Sequence, residues 1–139
     1  MKKILALLLL LGCMGCSKGI SKEDLQHLNG YWEISLVEFP DGGEKEYTVS
    51  TTIDHIVLKE SEGVRKKVRP TLEGTYIANS DPQSFRIGEK EGIFTMYYKN
   101  GQNEWTENLV ALSESGFSVL GEQGITYHYK RYLPININD

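Results

Sequence analysis

The hydrophobic residues of this chain form one continuous apolar run near the N-terminus and, after Gly30, a series of short alternating segments. The segments are rich in β-branched and aromatic residues, and clusters of Gly, Asp, Asn, Ser and Pro separate them at intervals of roughly a dozen residues. This pattern is typical of an antiparallel meander. The predicted strands are 31–39, 51–59, 64–69, 75–78, 84–87, 93–99, 104–112, 117–120 and 125–132.

Alternation with period two shows which side chains share a buried face. The predicted sets are Trp32 with Ile34 and Leu36, Phe94 with Met96 and Tyr98, and Ile125 with Tyr127 and Tyr129. A barrel leaves no unpaired sheet edge, so it is favoured over two packed sheets. We therefore expect an all-β fold, a single antiparallel up-and-down β-barrel of about eight strands. Residues 21–28 predict a short preceding helix with Ser21 as its N-cap.

The first sixteen residues have the organisation of a secretory signal. Lys2 and Lys3 form a basic start, residues 4–11 are apolar, and small residues precede Cys16. The apolar run is about half the roughly 20 residues that a membrane-spanning helix needs, so cleavage is the better interpretation. We predict a signal peptide over 1–15, a lipidated tether over 16–20 and one folded domain over 21–139.

This segment resembles the lipobox of bacterial lipoproteins, in which a cysteine takes a diacylglycerol and, after cleavage, an acyl chain such as palmitate. Cys16 is the predicted attachment site, because cleavage before it leaves an apolar region of ordinary length. Cys13 is the alternative, because the leucine in Leu10-Leu11-Gly12 stands where the family prefers one. The resemblance implies a lipid-anchored envelope protein. Ser17 favours the outer membrane, facing the periplasm, by the family's sorting habits.

The positions of the cysteines and the net charge limit the chemistry and the partners that the predicted domain can have. Both cysteines lie in the N-terminal segment, so the domain has neither a disulfide nor a thiol nucleophile. Removing Lys2 and Lys3 leaves thirteen basic against nineteen acidic side chains, a formal charge of −6. This charge opposes nucleic acid as a partner. We expect the membrane contact to be made by acyl chains.

The start of the first predicted strand, Asn29-Gly30-Tyr31-Trp32, follows the short helix directly. It resembles the Gly-x-Trp entry of lipocalins and related calycin barrels. Together with the lipobox, it makes the chain similar to small lipocalin-like bacterial lipoproteins. The resemblance implies that Gly30 and Trp32 close one end of the barrel, with Arg131 packed on the tryptophan. It also implies a barrel that binds a small hydrophobic or amphipathic ligand.

Tyrosines on the late strands are the candidate ligand-lining residues. Tyr97 or Tyr98, with Tyr127 and Tyr129, offer apolar walls and a few hydroxyls. The alternative is that they fill the core, since an eight-stranded barrel is just wide enough to be filled by its own side chains. The three cations Arg65, Lys67 and Arg69 alternate along one strand, and we interpret them as a solvated edge protected by its charge.

The remaining candidates for chemistry do not combine into a catalytic or metal site. Asp54 and His55 are adjacent on a strand, so their side chains point to opposite faces. His27, His55 and His128 lack the spacing of a metal motif. We therefore expect a non-enzymatic protein without metal or cofactor. Its first candidate function is ligand binding, and its second is protein interaction through a filled barrel that inhibits an envelope enzyme or assists assembly.

Overall fold

The computed structural model describes residues 19–48 and 50–134. Cys13, Cys16 and Ser17 lie outside the described residues, and the proposed domain boundaries stay predictions. The described part contains a 3₁₀ helix, Glu23–Leu28, and ten strands. The strands are β1 (Gly30–Glu38), β2 (Glu44–Glu46), β3 (Ile53–Lys59), β4 (Glu62–Pro70), β5 (Tyr76–Ala78), β6 (Gln83–Lys90), β7 (Ile93–Asn100), β8 (Asn103–Leu112), β9 (Gly116–Gly121) and β10 (Thr126–Arg131).

Eight of these strands form a closed antiparallel barrel in the order β1, β3, β4, β6, β7, β8, β9 and β10. Pairing of β10 with β1, from Trp32 opposite Arg131 to Glu38 opposite Thr126, closes the ring. The short strands β2 and β5 extend the sheet beside the C-terminal parts of β1 and β4. The predicted fold class, an all-β antiparallel up-and-down barrel of about eight strands with a short preceding helix, is confirmed.

The alternating strand directions define two ends of the barrel. The 3₁₀ helix, the start of β1 and the end of β10 lie at one end, together with the β3–β4, β6–β7 and β8–β9 turns. We call this the closed end. The loops after β1, β4, β7 and β9 lie at the opposite, open end. The described chain therefore enters the barrel and leaves it at the closed end.

The closed-end half of the interior is filled with apolar side chains. Trp32 is completely buried and meets the ring of Phe117 edge-to-face, with 4.8 Å between ring centres. The other buried residues of this core are Leu25, Leu28, Ile56, Leu58, Phe85, Ile87, Phe94, Met96, Leu109 and Val119, and Tyr98 continues the same cluster into the open-end half. Burial of these side chains contributes hydrophobic stabilisation to the fold.

Two local expectations were wrong. A β-bulge lies between Ile34 and Leu36, so Val37 rather than Leu36 occupies the next buried position. A bulge adds one residue to one strand and thereby reverses the alternation beyond it. The 3₁₀ helix begins at Glu23 without a side-chain cap, and the backbone N–H of Ser21 instead donates to the Asp24 carboxylate.

Candidate binding site

At the closed end, Arg131 joins three segments of the chain. Its guanidinium lies 4.1 Å from the centre of the Trp32 ring. Its side-chain nitrogens donate to the backbone carbonyls of His27 (2.8 Å), Asn29 (3.0 Å) and Glu114 (2.5 Å). The Trp32 indole N–H donates to the Leu28 carbonyl at 2.8 Å. These contacts fasten the 3₁₀ helix and the β8–β9 turn over the end of the barrel.

Gly30 provides the space that Arg131 needs. Its φ is +131°, a backbone conformation that favours glycine. A Cβ atom at this position would overlap the Nη1 atom of Arg131. The Gly-x-Trp spacing therefore combines a glycine under the guanidinium with a tryptophan beside it.

The open-end half of the interior is polar and is organised around Arg65 of β4. Its guanidinium contacts the Asp54 carboxylate at 2.6 Å, the Tyr98 hydroxyl at 3.0 Å and the Glu107 carboxylate at 3.5 Å. It also lies 4.9 Å from the centre of the Tyr129 ring. Lys67 approaches the second oxygen of Asp54 at 2.7 Å. We call Asp54, Arg65, Lys67 and Glu107 the charged cluster.

The solvated edge predicted for Arg65, Lys67 and Arg69 is therefore wrong for Arg65, which is buried. The strand β4 pairs with β3 on one side and with β5 and β6 on the other, so it is not an edge. A buried charge is tolerated when it is paired and hydrogen-bonded, and Asp54 and Glu107 supply that pairing. Sequence reasoning missed both partners: Asp54 lies eleven positions before Arg65, on the neighbouring strand of the β3–β4 hairpin, and Glu107 lies 42 positions after it, on β8.

The cluster favours ionised side chains. Burial by itself raises the pKa of Asp54, but the neighbouring Arg65 and Lys67 outweigh it and hold the pKa below its usual range. Burial likewise opposes the charge on Arg65, whereas its tyrosine and carboxylate neighbours raise its pKa. Burial raises the pKa of Tyr129 to about 12, despite the opposing effect of Arg65. The hydroxyl of Tyr129 is therefore neutral at ordinary pH.

Aromatic rings stand beside the cluster and border two cavities. The rings of Tyr98 and Trp105 are stacked, with 5.2 Å between centres and 4° between planes. A cavity of about 230 Å³ borders the charged cluster, Gln83, Tyr98 and Trp105. A second cavity of about 310 Å³ borders Trp105 and Glu107 together with Tyr127 and Tyr129. Trp105 and Glu107 are shared by both cavities.

The structure separates the four predicted lining tyrosines. Tyr98 is buried inside the barrel, and Tyr127 and Tyr129 border the second cavity. Tyr97 points outward, so of the two alternatives Tyr97 and Tyr98 it is Tyr98 that faces the interior. Adjacent strand residues face opposite sides. The outer Tyr97 ring lies under the guanidinium of Arg86, 4.2 Å away.

A third and larger cavity, of about 820 Å³, is an open groove across β3, β4, β6, β7 and β8. Its exposed apolar residues are Val57, Val64 and Tyr97, which alternate with buried neighbours and therefore lie on the outside of the barrel. Tyr98, Trp105 and Glu122 also border it, so the groove adjoins the open-end cavities. Charged residues of both signs surround them. We call this surface the outer groove.

One arrangement on the outer face contains hydroxyl, imidazole and carboxylate groups in sequence. The Ser118 hydroxyl lies 2.6 Å from Nδ1 of His128, and Nε2 of that histidine lies 2.9 Å from the Glu38 carboxylate. Ser118 sits within a strand and is buried. None of the three cavities above touches these residues. Cross-strand pairing, which places Ser118 opposite His128, brings the three groups together.

Asp54 and His55, which are adjacent on β3, lie in different surroundings. Asp54 and His55 point to opposite sides of β3: Asp54 joins the charged cluster, and His55 stacks on Tyr31 with 4.2 Å between ring centres. In the described part of the chain, no group of three or more His, Cys, Asp and Glu side chains is arranged to hold a metal ion. None of the helices described here is long and apolar enough to cross a membrane.

The fold and the site together define a small closed β-barrel with a sealed end and a polar cavity at the other. No protein-family model and no curated protein matches the chain. Among solved structures, it is similar to a de novo designed fluorescence-activating β-barrel, with 13% identity, 81% of this chain and 100% of that chain covered, and a TM-score of 0.49. It is also similar to lobster apocrustacyanin A1, with 10% identity, 86% and 74% coverage, and a TM-score of 0.44. The fold assignment rests on the strand pairing described above.

Proposed function

We propose that this protein is a non-enzymatic cell-envelope lipoprotein, anchored through Cys16, whose barrel binds a small amphipathic molecule at its open end. The observation that carries the proposal is the charged cluster beneath the Tyr98–Trp105 stack, bordering two cavities. The larger of these reaches the lower end of the roughly 300–1,000 Å³ range of small-molecule sites. Its aromatic rings, standing beside polar and charged side chains, match an amphipathic ligand.

The end at which the chain enters the barrel agrees with a lipid tether at Cys16. The described chain begins at Gly19 and enters the barrel at the closed end, four residues before the 3₁₀ helix. A lipid on Cys16 would hold that end toward the bilayer, since each extended residue spans at most about 3.6 Å. The open end would then face the aqueous compartment, and ligand would exchange with that compartment.

Native mass spectrometry of the full-length protein, purified from the envelope of a bacterial host, tests ligand binding. We expect a copurified molecule of defined mass that is lost on denaturation. Substituting Trp105→Ala should abolish it, because the change removes a wall shared by both cavities. The matched control Tyr97→Ala, on the outer face, should retain it. If the wild-type protein takes up no molecule even from an envelope extract, the carrier function is wrong.

The lipid anchor has its own test. Metabolic labelling with an acyl-chain analogue should mark the wild-type protein and Cys13→Ala but not Cys16→Ala. Labelling that depends on Cys13 instead would move the anchor to the alternative cysteine. An unlabelled wild-type protein would contradict the lipoprotein assignment.

The non-enzymatic part of the proposal rests on the surroundings of Ser118. A serine nucleophile needs access to substrate and donors for the developing oxyanion, whereas Ser118 is buried outside the three cavities. A fluorophosphonate probe should therefore leave the protein unlabelled. Labelling of the wild-type protein that disappears in Ser118→Ala would establish a serine hydrolase instead.

The outer groove favours a second candidate function, docking of a partner protein of the envelope. Contiguous exposed apolar residues mark interaction sites, and Val57 and Val64 are 48% and 40% exposed. Crosslinking in intact cells should capture a partner with the wild-type protein and lose it with Val57→Asp. The control Val110→Asp changes a valine of similar exposure, 50%, outside the groove. Equal capture by both variants would exclude the groove as the docking site.

A further inference from the structure

The charged side chains around the open-end cavities balance one another. Within the charged cluster, Arg65 and Lys67 face Asp54 and Glu107. The cavity borders add one further charge of each sign, Lys66 beside the first cavity and Glu122 beside the second. Three cations and three anions therefore surround the site, and its formal charge is zero.

The positive groups of the cluster already have carboxylate partners. Asp54 binds Arg65 through one oxygen at 2.6 Å and Lys67 near the other at 2.7 Å. An anionic ligand would have to displace Asp54 from these cations or remain close to two carboxylates. Like-charge juxtaposition in a partly desolvated site is unfavourable, and leaving a buried carboxylate unpaired is more so.

A cationic ligand meets the equivalent obstacle. Within the charged cluster, Glu107 lies 3.5 Å from Arg65 and its side chain is 14% exposed, against 3% for Asp54, so it is the more available of these two carboxylates. However, any cation that reached Glu107 would stand beside the Arg65 guanidinium, whose charge cannot be removed by deprotonation. The repulsion would offset the attraction.

Apart from Lys66 and Glu122, which border one cavity each, the groups that remain for a ligand are neutral. The stacked Tyr98 and Trp105 rings offer an aromatic face, and Tyr127, Tyr129 and Gln83 add neutral polar groups beside the cavities. We infer that the open-end cavity selects uncharged amphipathic molecules, with a planar apolar part and a hydrogen-bonding head, and discriminates against simple organic anions and cations. This inference rests on the proposed ligand-binding function.

Three probes that share a ring and differ in head-group charge test the inference. They are naphthalene methanol, naphthoate and naphthylmethylammonium, titrated into the full-length protein reconstituted in phosphatidylcholine vesicles. Tryptophan emission reports binding, because Trp105 borders both cavities and Trp32 is sealed at the closed end. Trp105 also borders the outer groove, so each titration is repeated with Val57→Asp, which changes the groove alone and should leave the response unchanged. The alcohol should bind at least tenfold more tightly than either ion. Trp105→Phe should lose the response to the alcohol, and Trp32→Phe should keep it.

Two single substitutions should shift the selectivity in opposite directions. Glu107→Gln removes one anion and leaves the site positive, so naphthoate should gain roughly tenfold in affinity relative to the alcohol. Lys67→Gln removes one cation, so the ammonium probe should gain by a similar factor. Both substitutions preserve much of the side-chain shape, and the Lys67 side chain is 55% exposed. Circular dichroism confirms that each variant is folded before titration.

The outcomes separate this inference from the binding function. If naphthoate or the ammonium probe binds the wild-type protein as tightly as the alcohol, the inference is wrong, although the barrel still binds small molecules. If the two substitutions leave the order of affinities unchanged, the charge balance does not set selectivity. If all three probes fail to bind and no molecule copurifies with the protein, both the inference and the carrier function are wrong.

Discussion

The two ends of this barrel each combine an arginine with a tryptophan, but they use the pair differently. At the closed end, Arg131 lies on the fully buried Trp32 and donates to three backbone carbonyls. At the open end, Arg65 is held by side chains, and the half-buried Trp105 borders two cavities. Backbone partners fix Arg131 as part of a seal, whereas Arg65 depends on the side chains of other strands and lies beside a cavity.

If the closed end serves stability and the open end serves binding, the two tryptophans should differ most in what they contribute to folding. Trp32→Ala should lower the free energy of unfolding by about 3–5 kcal/mol, as expected for a large side chain removed from a packed core. Trp105→Ala should lower it by no more than about 1–2 kcal/mol, because the side chain is only half buried. Urea unfolding followed by far-ultraviolet circular dichroism measures both.

Equal losses in these two variants would contradict the division between the ends. If Trp32→Ala loses the ligand under conditions in which the variant is still folded, the closed end also contributes to binding, and the division between the ends is wrong. Trp32 is separated from the open-end cavities by the apolar core. The two tryptophan variants therefore test the different roles of the two ends through both stability and binding.

The open end should also respond to acid in a way that the closed end does not. The folded-state pKa of Asp54 lies below its unfolded value of about 3.9. Its contribution to stability is therefore fully present above pH 4 to 5 and is lost as the pH falls through the lowered folded-state value. Asp54→Asn should cost about 2–4 kcal/mol at neutral pH, because Arg65 and Lys67 lose their carboxylate. The difference from wild type should shrink below about pH 4.

Urea unfolding across the acid range measures this difference. Asp81→Asn, at an exposed loop position, is the control, and it should stay within about 0.5 kcal/mol of wild type at neutral pH. A gap between wild type and Asp54→Asn that stays constant down to the lowest pH at which the protein folds would show that the charge of Asp54 is unimportant. The Arg65 contacts would then contribute through shape alone.

Local patterns predicted the strands and the fold class, because period-two alternation and turn residues act over a few neighbouring positions. The position of Trp32 and its pairing with Arg131 followed from a short motif resemblance. Arg65 could not be placed in this way. Its inward orientation depends on Asp54 and Glu107, which β3 and β8 bring to it, and a strand with alternating cations gives no sign of such partners.

The sequence reveals the remaining features of the barrel interior to different degrees. The bulge in β1 reverses the alternation after Ile34, which the sequence does not signal. Trp105 has a parity that places it on the same face as Glu107 and Leu109, and that regularity could have identified it as an inward residue. The cavity itself depends on how eight strands close, which is a property of the whole sheet rather than of any one segment.

At Gly30, the seal of the closed end depends on the absence of a side chain. Gly30→Ala forces alanine into a conformation at φ +131° and places a Cβ against Nη1 of Arg131. The guanidinium must move, which disturbs its bonds to the Asn29 and His27 carbonyls. The expected loss is about 2–3 kcal/mol.

Gly42→Ala separates the two causes of that loss. Gly42 also has a positive φ, +92°, but an added Cβ would meet open space. This variant should therefore lose only the conformational part, about 1 kcal/mol. Urea unfolding of both variants should show that Gly30→Ala exceeds Gly42→Ala by about 1–2 kcal/mol, the contribution of the Arg131 contacts. If the two losses are equal, Arg131 adjusts without cost, and the closed end is held by the packing of Trp32 rather than by the arginine above it.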